Sequence, residues 1–139
     1  MSTAGYSGTP LARKLGIKEG SSIQVFNAPK RYQDFFEEFP SNVQWIKEGQ
    51  SNPEIDFIHI FCTHWEGLER CFALAKANLK KSGMIWLSWP KKTSKIPTQL
   101  DKTLIREFGL RNGLVDTKVA AIDNDWSGHK FMYRIKDRD

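Results

Sequence analysis

The chain has 139 residues, enough for one domain that buries most of its apolar surface without disulfide support. Hydrophobic residues make up 40% and charged residues 27%, ordinary for a globular protein, and no apolar run approaches the ~20 residues of a membrane helix. The 21 Lys and Arg outnumber the 16 acids, a surplus that favours anionic ligands, but the cations are scattered along the chain, so nucleic acid is disfavoured as a partner.

The first residues lack a charged segment followed by an apolar one, so no secretory signal is readable and a cytoplasmic location is expected. Residues 1–8 read as a flexible arm, 137–139 as a frayed end, and the whole of 1–139 as a single domain. Thr9 as N-cap, Pro10 at the first helical position, Leu11 and Leu15 one turn apart and Gly16 as a stop predict a short helix. Residues 22–27 alternate as a strand. After Pro29, the spacing of Tyr32, Phe35, Phe36 and Phe39 predicts a helix closed by Pro40. Residues 42–46 read as an edge strand and 49–53 as a loop.

Residues 55–61 form an apolar strand, and Thr63 and Glu66 have the spacing of a capping box that starts a helix at 64. Leu68, Cys71, Phe72, Ala75 and Leu79 make its buried stripe, with Lys80 and Lys81 at the negative end of its dipole and Gly83 as its stop. A strand over 84–89 follows. A third helix is predicted from near Thr98, with Asp101 three residues on, Leu100, Leu104, Ile105 and Phe108 as its buried face, and Gly109 as its end. Residues 115–122 and 130–135 read as strands joined by a turn-rich connection that includes Trp126 and Gly128. This alternation predicts an α/β fold: a doubly wound, mostly parallel Rossmann-like sheet with helices on both faces and a C-terminal antiparallel β-hairpin.

Over roughly residues 55 to 135, that order of elements resembles the second half of the class I S-adenosylmethionine-dependent methyltransferase fold. The resemblance implies a Gly-rich cofactor loop after the first strand, where this chain has Val25-Phe26-Asn27-Ala28-Pro29-Lys30. Pro29 has no amide to donate and side chains at 27 and 28 hinder close approach, so no cofactor is expected, S-adenosylmethionine included. Glu48 lies where such folds place a ribose-binding acid, and reads more simply as a solvated surface glutamate. The whole chain also resembles a bacterial family of unknown function. The shared landmarks are Gly5 to Leu11 (GYSGTPL), Leu15-Gly16-Ile17, Asn27-Ala28-Pro29, Trp86 to Lys92 (WLSWPKK), Gly113 to Asp116 (GLVD) and Trp126-Ser127-Gly128. That resemblance brings no activity with it.

Three groups of residues are candidates for chemistry. The first is the crevice at the strand ends, formed by 27–30, 62–64 and 88–95. Lys91, Lys92 and Lys95 sit just ahead of the helix expected near Thr98, with Trp89 as a wall and Asn27 and His64 on the same edge. Side-chain charge and free helix amides would together hold a small anion such as phosphate or carboxylate; the alternative is a solvated basic loop. The second is His59, Cys62 and His64. Strand alternation turns His59 away from Cys62, so no metal site is expected and no catalytic residue is assigned. Cys62 and Cys71 read as reduced, buried thiols. The third is the set of tryptophans: Trp45, Trp65 and Trp86 read as packing, and Trp126 as an anchor for the hairpin loop. The chain thus reads as a non-catalytic or regulatory Rossmann-like protein with a small anion-binding crevice. The alternatives are a divergent S-adenosylmethionine-dependent methyltransferase and a weak nucleic-acid binder.

Overall fold

The computed structural model describes residues 10–50 and 54–138; Thr9, the arm over 1–8, residues 51–53 of the expected loop and Asp139 lie outside the described residues. Helix α1 (Leu11–Leu15) is closed by Gly16, whose φ of 96° is a left-handed angle that other residues resist. Strand β1 (Ser22–Phe26) leads through a 3-10 turn (Tyr32–Phe35) to β2 (Gln44–Ile46). Then come β3 (Ile55–Phe61), α2 (Trp65–Asn78), β4 (Leu79–Pro90), α3 (Lys102–Arg111), β5 (Leu114–Ala121) and β6 (Trp126–Tyr133). The six strands form one sheet in the order β2-β1-β3-β4-β6-β5, parallel except for β6. The expected mostly parallel α/β sheet with a closing hairpin is therefore present.

Helices cover both faces unequally. Strand alternation sends Ile58, Ile60, Ile85 and Leu87 toward α2 and α3, where they meet Leu68, Phe72, Ile105 and Phe108. Ile23, Phe57, Phe61 and Trp86 point the other way and are covered by α1 and the 3-10 turn through Leu11, Leu15, Tyr32 and Phe36. Trp86 is fully buried, and its Nε1–H donates to the Leu15 carbonyl at 2.8 Å, fastening the end of α1 to the sheet. No helix among the described residues is long and apolar enough to cross a membrane.

Several boundaries differ from the expectation, each for a physical reason. The segment after Pro29 winds only as a single 3-10 turn, and Phe36 is already extended (φ −110°, ψ 126°). Its rings serve two places instead of one helix face: Tyr32 and Phe36 lie on the sheet, whereas Phe39 stacks on Trp45 with centroids 5.5 Å apart. The capping box does not form. Thr63 Oγ1 bonds His64 Nδ1 (3.1 Å), and the first amide of α2, at Trp65, donates to Gln99 Oε1 (3.1 Å). A side chain 34 residues away thus does the work of a local cap.

Helix α2 ends at Asn78 and the chain enters β4 directly, so Gly83 is not a helix stop. It lies within β4 beside a register shift in β3, where a Cβ would come within 2.8 Å of the Asp56 carbonyl. Only a residue without a side chain permits that backbone approach. Helix α3 starts at Lys102, later than Thr98, because Asp101 is its N-cap: Oδ1 accepts from the Leu104 amide at 2.9 Å. It continues past Gly109 to Arg111. Strand β6 begins earlier than expected, which makes Trp126 and Gly128 strand residues opposite Pro90 and Ser88. Trp126 still anchors that end of the hairpin, half-buried and edge-on to Phe61 at 5.0 Å.

Candidate functional site

Because β1 to β4 run parallel, their carboxyl ends share one edge of the sheet, the edge where open α/β folds hold ligands. The turn leaving β1 is made without glycine. Asn27 takes a φ of 56°, a conformation that Asn tolerates better than most residues. Its side chain folds inward, donating from Nδ2 to the Phe61 carbonyl (3.1 Å) and to Cys71 Sγ (3.5 Å). Its backbone N–H donates to Glu48 Oε1 at 3.0 Å. Glu48, two residues beyond β2, is therefore held against the β1 turn, a pairing that the sequence reading did not find. The only signal for it was the spacing of the two residues. Beside them opens a cleft of about 580 Å³ whose walls include Val25, Pro29, Lys30, Arg31, Asp34 and Trp45.

The expected basic crevice is only partly assembled. Lys91 is half-buried and its amide donates to the Asp125 carbonyl (2.8 Å), while Lys92 and Lys95 are exposed. No carboxylate pairs with any of the three ammonium groups among the described residues. The loop that follows is pinned to α2, not to α3. Thr98 Oγ1 donates to the Thr63 carbonyl (2.8 Å), as does the Gln99 amide (3.1 Å). Thr98 is thus bonded beside the start of α2, and α3 begins four residues later, with its Leu104 amide capped by Asp101. Trp89 is not a wall of the crevice. It is only 6% exposed and packs with Leu87 and Leu100 under the helices, because strand alternation turns it to that face. His64 is exposed at the head of α2, on the edge where it was expected.

Beneath this edge is a buried polar chain that local sequence signals did not reveal, its members lying 27 and 29 residues apart. Tyr32 Oη meets His59 Nδ1 at 3.0 Å, and His59 Nε2 meets Ser88 Oγ at 2.7 Å. All three side chains are buried, so Ser88 is out of reach of a substrate despite a serine–histidine contact. As strand alternation requires, His59 faces Phe57 and Phe61, away from Cys62. Both cysteines are free and buried. Burial, with Cys71 nearby, pushes the Cys62 thiol up to about 12; burial and the Glu48 charge also raise Cys71, and such thiols are poor nucleophiles.

Burial lowers the His59 pKa from 6.5 to about 3. The unfolded chain takes up a proton there that the folded chain refuses. Stability is therefore complete above about pH 6.5 and lost as pH falls toward 3, by about 1.4 kcal/mol per unit. Urea midpoints measured between roughly pH 7 and pH 4 should fall steeply for the parent and less steeply for His59→Gln. Parallel curves would remove His59 from this account.

In fold, the chain is similar to an S-adenosylmethionine-dependent methyltransferase from Aquifex aeolicus, with a TM-score of 0.65 and 14% identity over 89% of this chain and 88% of that one. It is also similar to a candidate RNA methyltransferase from Pyrococcus horikoshii, with a TM-score of 0.51 and 14% identity over 92% of this chain and 80% of that one. In sequence, no family model and no curated protein matches the chain. The Rossmann-like sheet is thus one that methyltransferases also use.

Proposed function

We propose that this chain is a divergent S-adenosylmethionine-dependent methyltransferase, with the nucleoside held at the carboxyl ends of β1 and β2. The observation that carries the reading is Glu48. Its carboxylate stands beside the turn after β1, fastened by the Asn27 amide, where dinucleotide and related folds set an acid on the ribose hydroxyls. The absence of a Gly-rich loop weighs less than the sequence suggested. Asn27 supplies the left-handed turn, and its side chain is directed inward to Phe61 and Cys71, away from the outer surface of the turn. When bound, the sulfonium would supply an activated methyl group. Of the three histidines, His59 and His129 are buried and His64 is exposed, which makes His64 the candidate base for the methyl acceptor.

Calorimetric titration with S-adenosylmethionine and with S-adenosylhomocysteine tests this. Binding is expected in the range of about 1 μM to 1 mM that enzymes show for their substrates. Glu48→Ala should weaken it at least tenfold, the effect of losing one charge-assisted hydrogen bond, roughly 1.5–3 kcal/mol. No heat with either compound would remove the methyltransferase reading.

A second reading keeps the fold without the chemistry: a regulatory protein whose Lys91, Lys92 and Lys95 loop holds a small anion. The three ammonium groups, which have no carboxylate partner among the described residues, favour it. Under this reading Lys91→Ala with Lys92→Ala abolishes stabilisation by phosphate and leaves the unliganded melting temperature nearly unchanged, because exposed charges add little to folding.

A further inference from the structure

The face of the sheet covered by α1 carries a second group of cations. Lys118 in β5 and Lys130 in β6 are directly paired in the register, both on the face covered by α1. Like charges directly opposite on one face of a β-ladder repel and destabilise the pair. Lys18, in the connection between α1 and β1, adds a third ammonium: together with Lys118 it holds the Lys130 pKa down, behind the larger effect of burial.

Among the described residues no acid forms an ion pair with any of these three ammonium groups. Asp116 precedes a register shift in β5 and is turned to α3, where it pairs with Arg106 at 3.1 Å and meets His129 at 3.4 Å. Glu19 accepts from Ser41 at 2.7 Å, and Asp56 is taken by Ser22 and by Lys80 at 3.5 Å. The end of α1 accounts for one of the cations only: Lys118 Nζ donates to the Lys14 carbonyl at 3.0 Å. Lys130 is half-buried against Gly16, 4.0 Å from where a Cβ would stand, and donates to nothing among the described residues.

We propose that Lys18, Lys118 and Lys130 form a binding site for the di- or triphosphate group of a small ligand. A group with several charges matches three ammonium groups where a single carboxylate would not. The cleft of about 420 Å³ beside Gly16, lined by Lys18, Ser21, Ser82 and Met84 together with the acids Glu19 and Asp56, has room for the rest of a small molecule. The site is independent of the carboxyl-edge reading, since Lys130 lies opposite Trp86 whereas the carboxyl edge is reached at Pro90.

Inorganic pyrophosphate is the probe, and thermal unfolding is the readout. At roughly ten times its dissociation constant, pyrophosphate should raise the melting temperature by about 4 °C over sodium chloride of equal ionic strength. Lys130→Met and Lys118→Gln should each lose that rise. Without ligand at low salt, Lys130→Met should melt no lower than the parent, because repulsion has been relieved. Lys91→Ala with Lys92→Ala should keep the full rise, which separates this site from the loop at the other edge. An equal rise with sodium chloride, or a rise retained in Lys130→Met and Lys118→Gln, would overturn the proposal. Tighter binding of a single-stranded oligonucleotide than of pyrophosphate would also overturn it, by making the cluster a nucleic-acid contact.

Discussion

Trp86→Ala is expected to cost about 4 kcal/mol, near the middle of the range for removing a large aromatic ring from a core. The ring has no exposed surface and sits where α1, β3 and β6 meet, so no neighbour can collapse into the space without uncovering another. Removing Nε1 also strands the Leu15 carbonyl inside the protein. Trp86→Phe separates the two effects. It keeps most of the packing and loses the hydrogen bond, so it should cost about 1–3 kcal/mol. Urea unfolding followed by far-ultraviolet circular dichroism gives both numbers. A Trp86→Ala midpoint equal to that of the parent would mean that α1 does not dock on this ring.

Gly109→Ala should destabilise by roughly 3 kcal/mol, the upper end of the range for overpacked cores. The direction is the test, since the same exchange in an exposed helix interior gains about 1 kcal/mol. Here the added methyl would lie 2.2 Å from Phe131 Cε2, and its neighbours Cδ2 and Cζ would be 2.5 and 2.6 Å away. Phe131 is fully buried and stacked on His129 at 4.9 Å, so it has nowhere to go. Adding Phe131→Leu should recover part of the loss, and the double variant should be less unstable than the sum of the singles. A more stable Gly109→Ala would show that α3 rides higher on the sheet.

Where a segment's conformation follows from its own residues, the sequence was readable. Strand β3 matched its expected span, since seven mostly apolar residues flanked by polar ones have little choice but a central strand. Helix α1 was legible through Gly16, although Pro10 proves to be its N-cap and not its first helical residue. Elements whose ends depend on distant residues were not. The aromatic spacing after Pro29 mimicked a helix while its rings were meeting separate partners, and the start of α2 was decided by Gln99. The same division runs through the candidate site. Exposure of Lys92, Lys95 and His64 could be read locally. The Glu48–Asn27 contact could not, because it arises only when β2 is laid beside β1. Trp89 was misplaced although the expected strand contained it: alternation with Ile85 and Leu87 sets its ring on the face buried under the helices.

The attachment of α1 has a consequence for the order in which the chain is made. Its last carbonyls are met by Trp86, 71 residues downstream of Leu15, and by Lys118, 104 residues downstream of Lys14. A five-residue helix is too short to persist alone, so α1, synthesised before the strands it docks on, has nothing to settle on until most of the sheet exists. It must dock among the last. Until then the face formed by Ile23, Phe57 and Trp86 stands open, and the nascent protein is a natural client for chaperones that shield apolar surface through most of its synthesis.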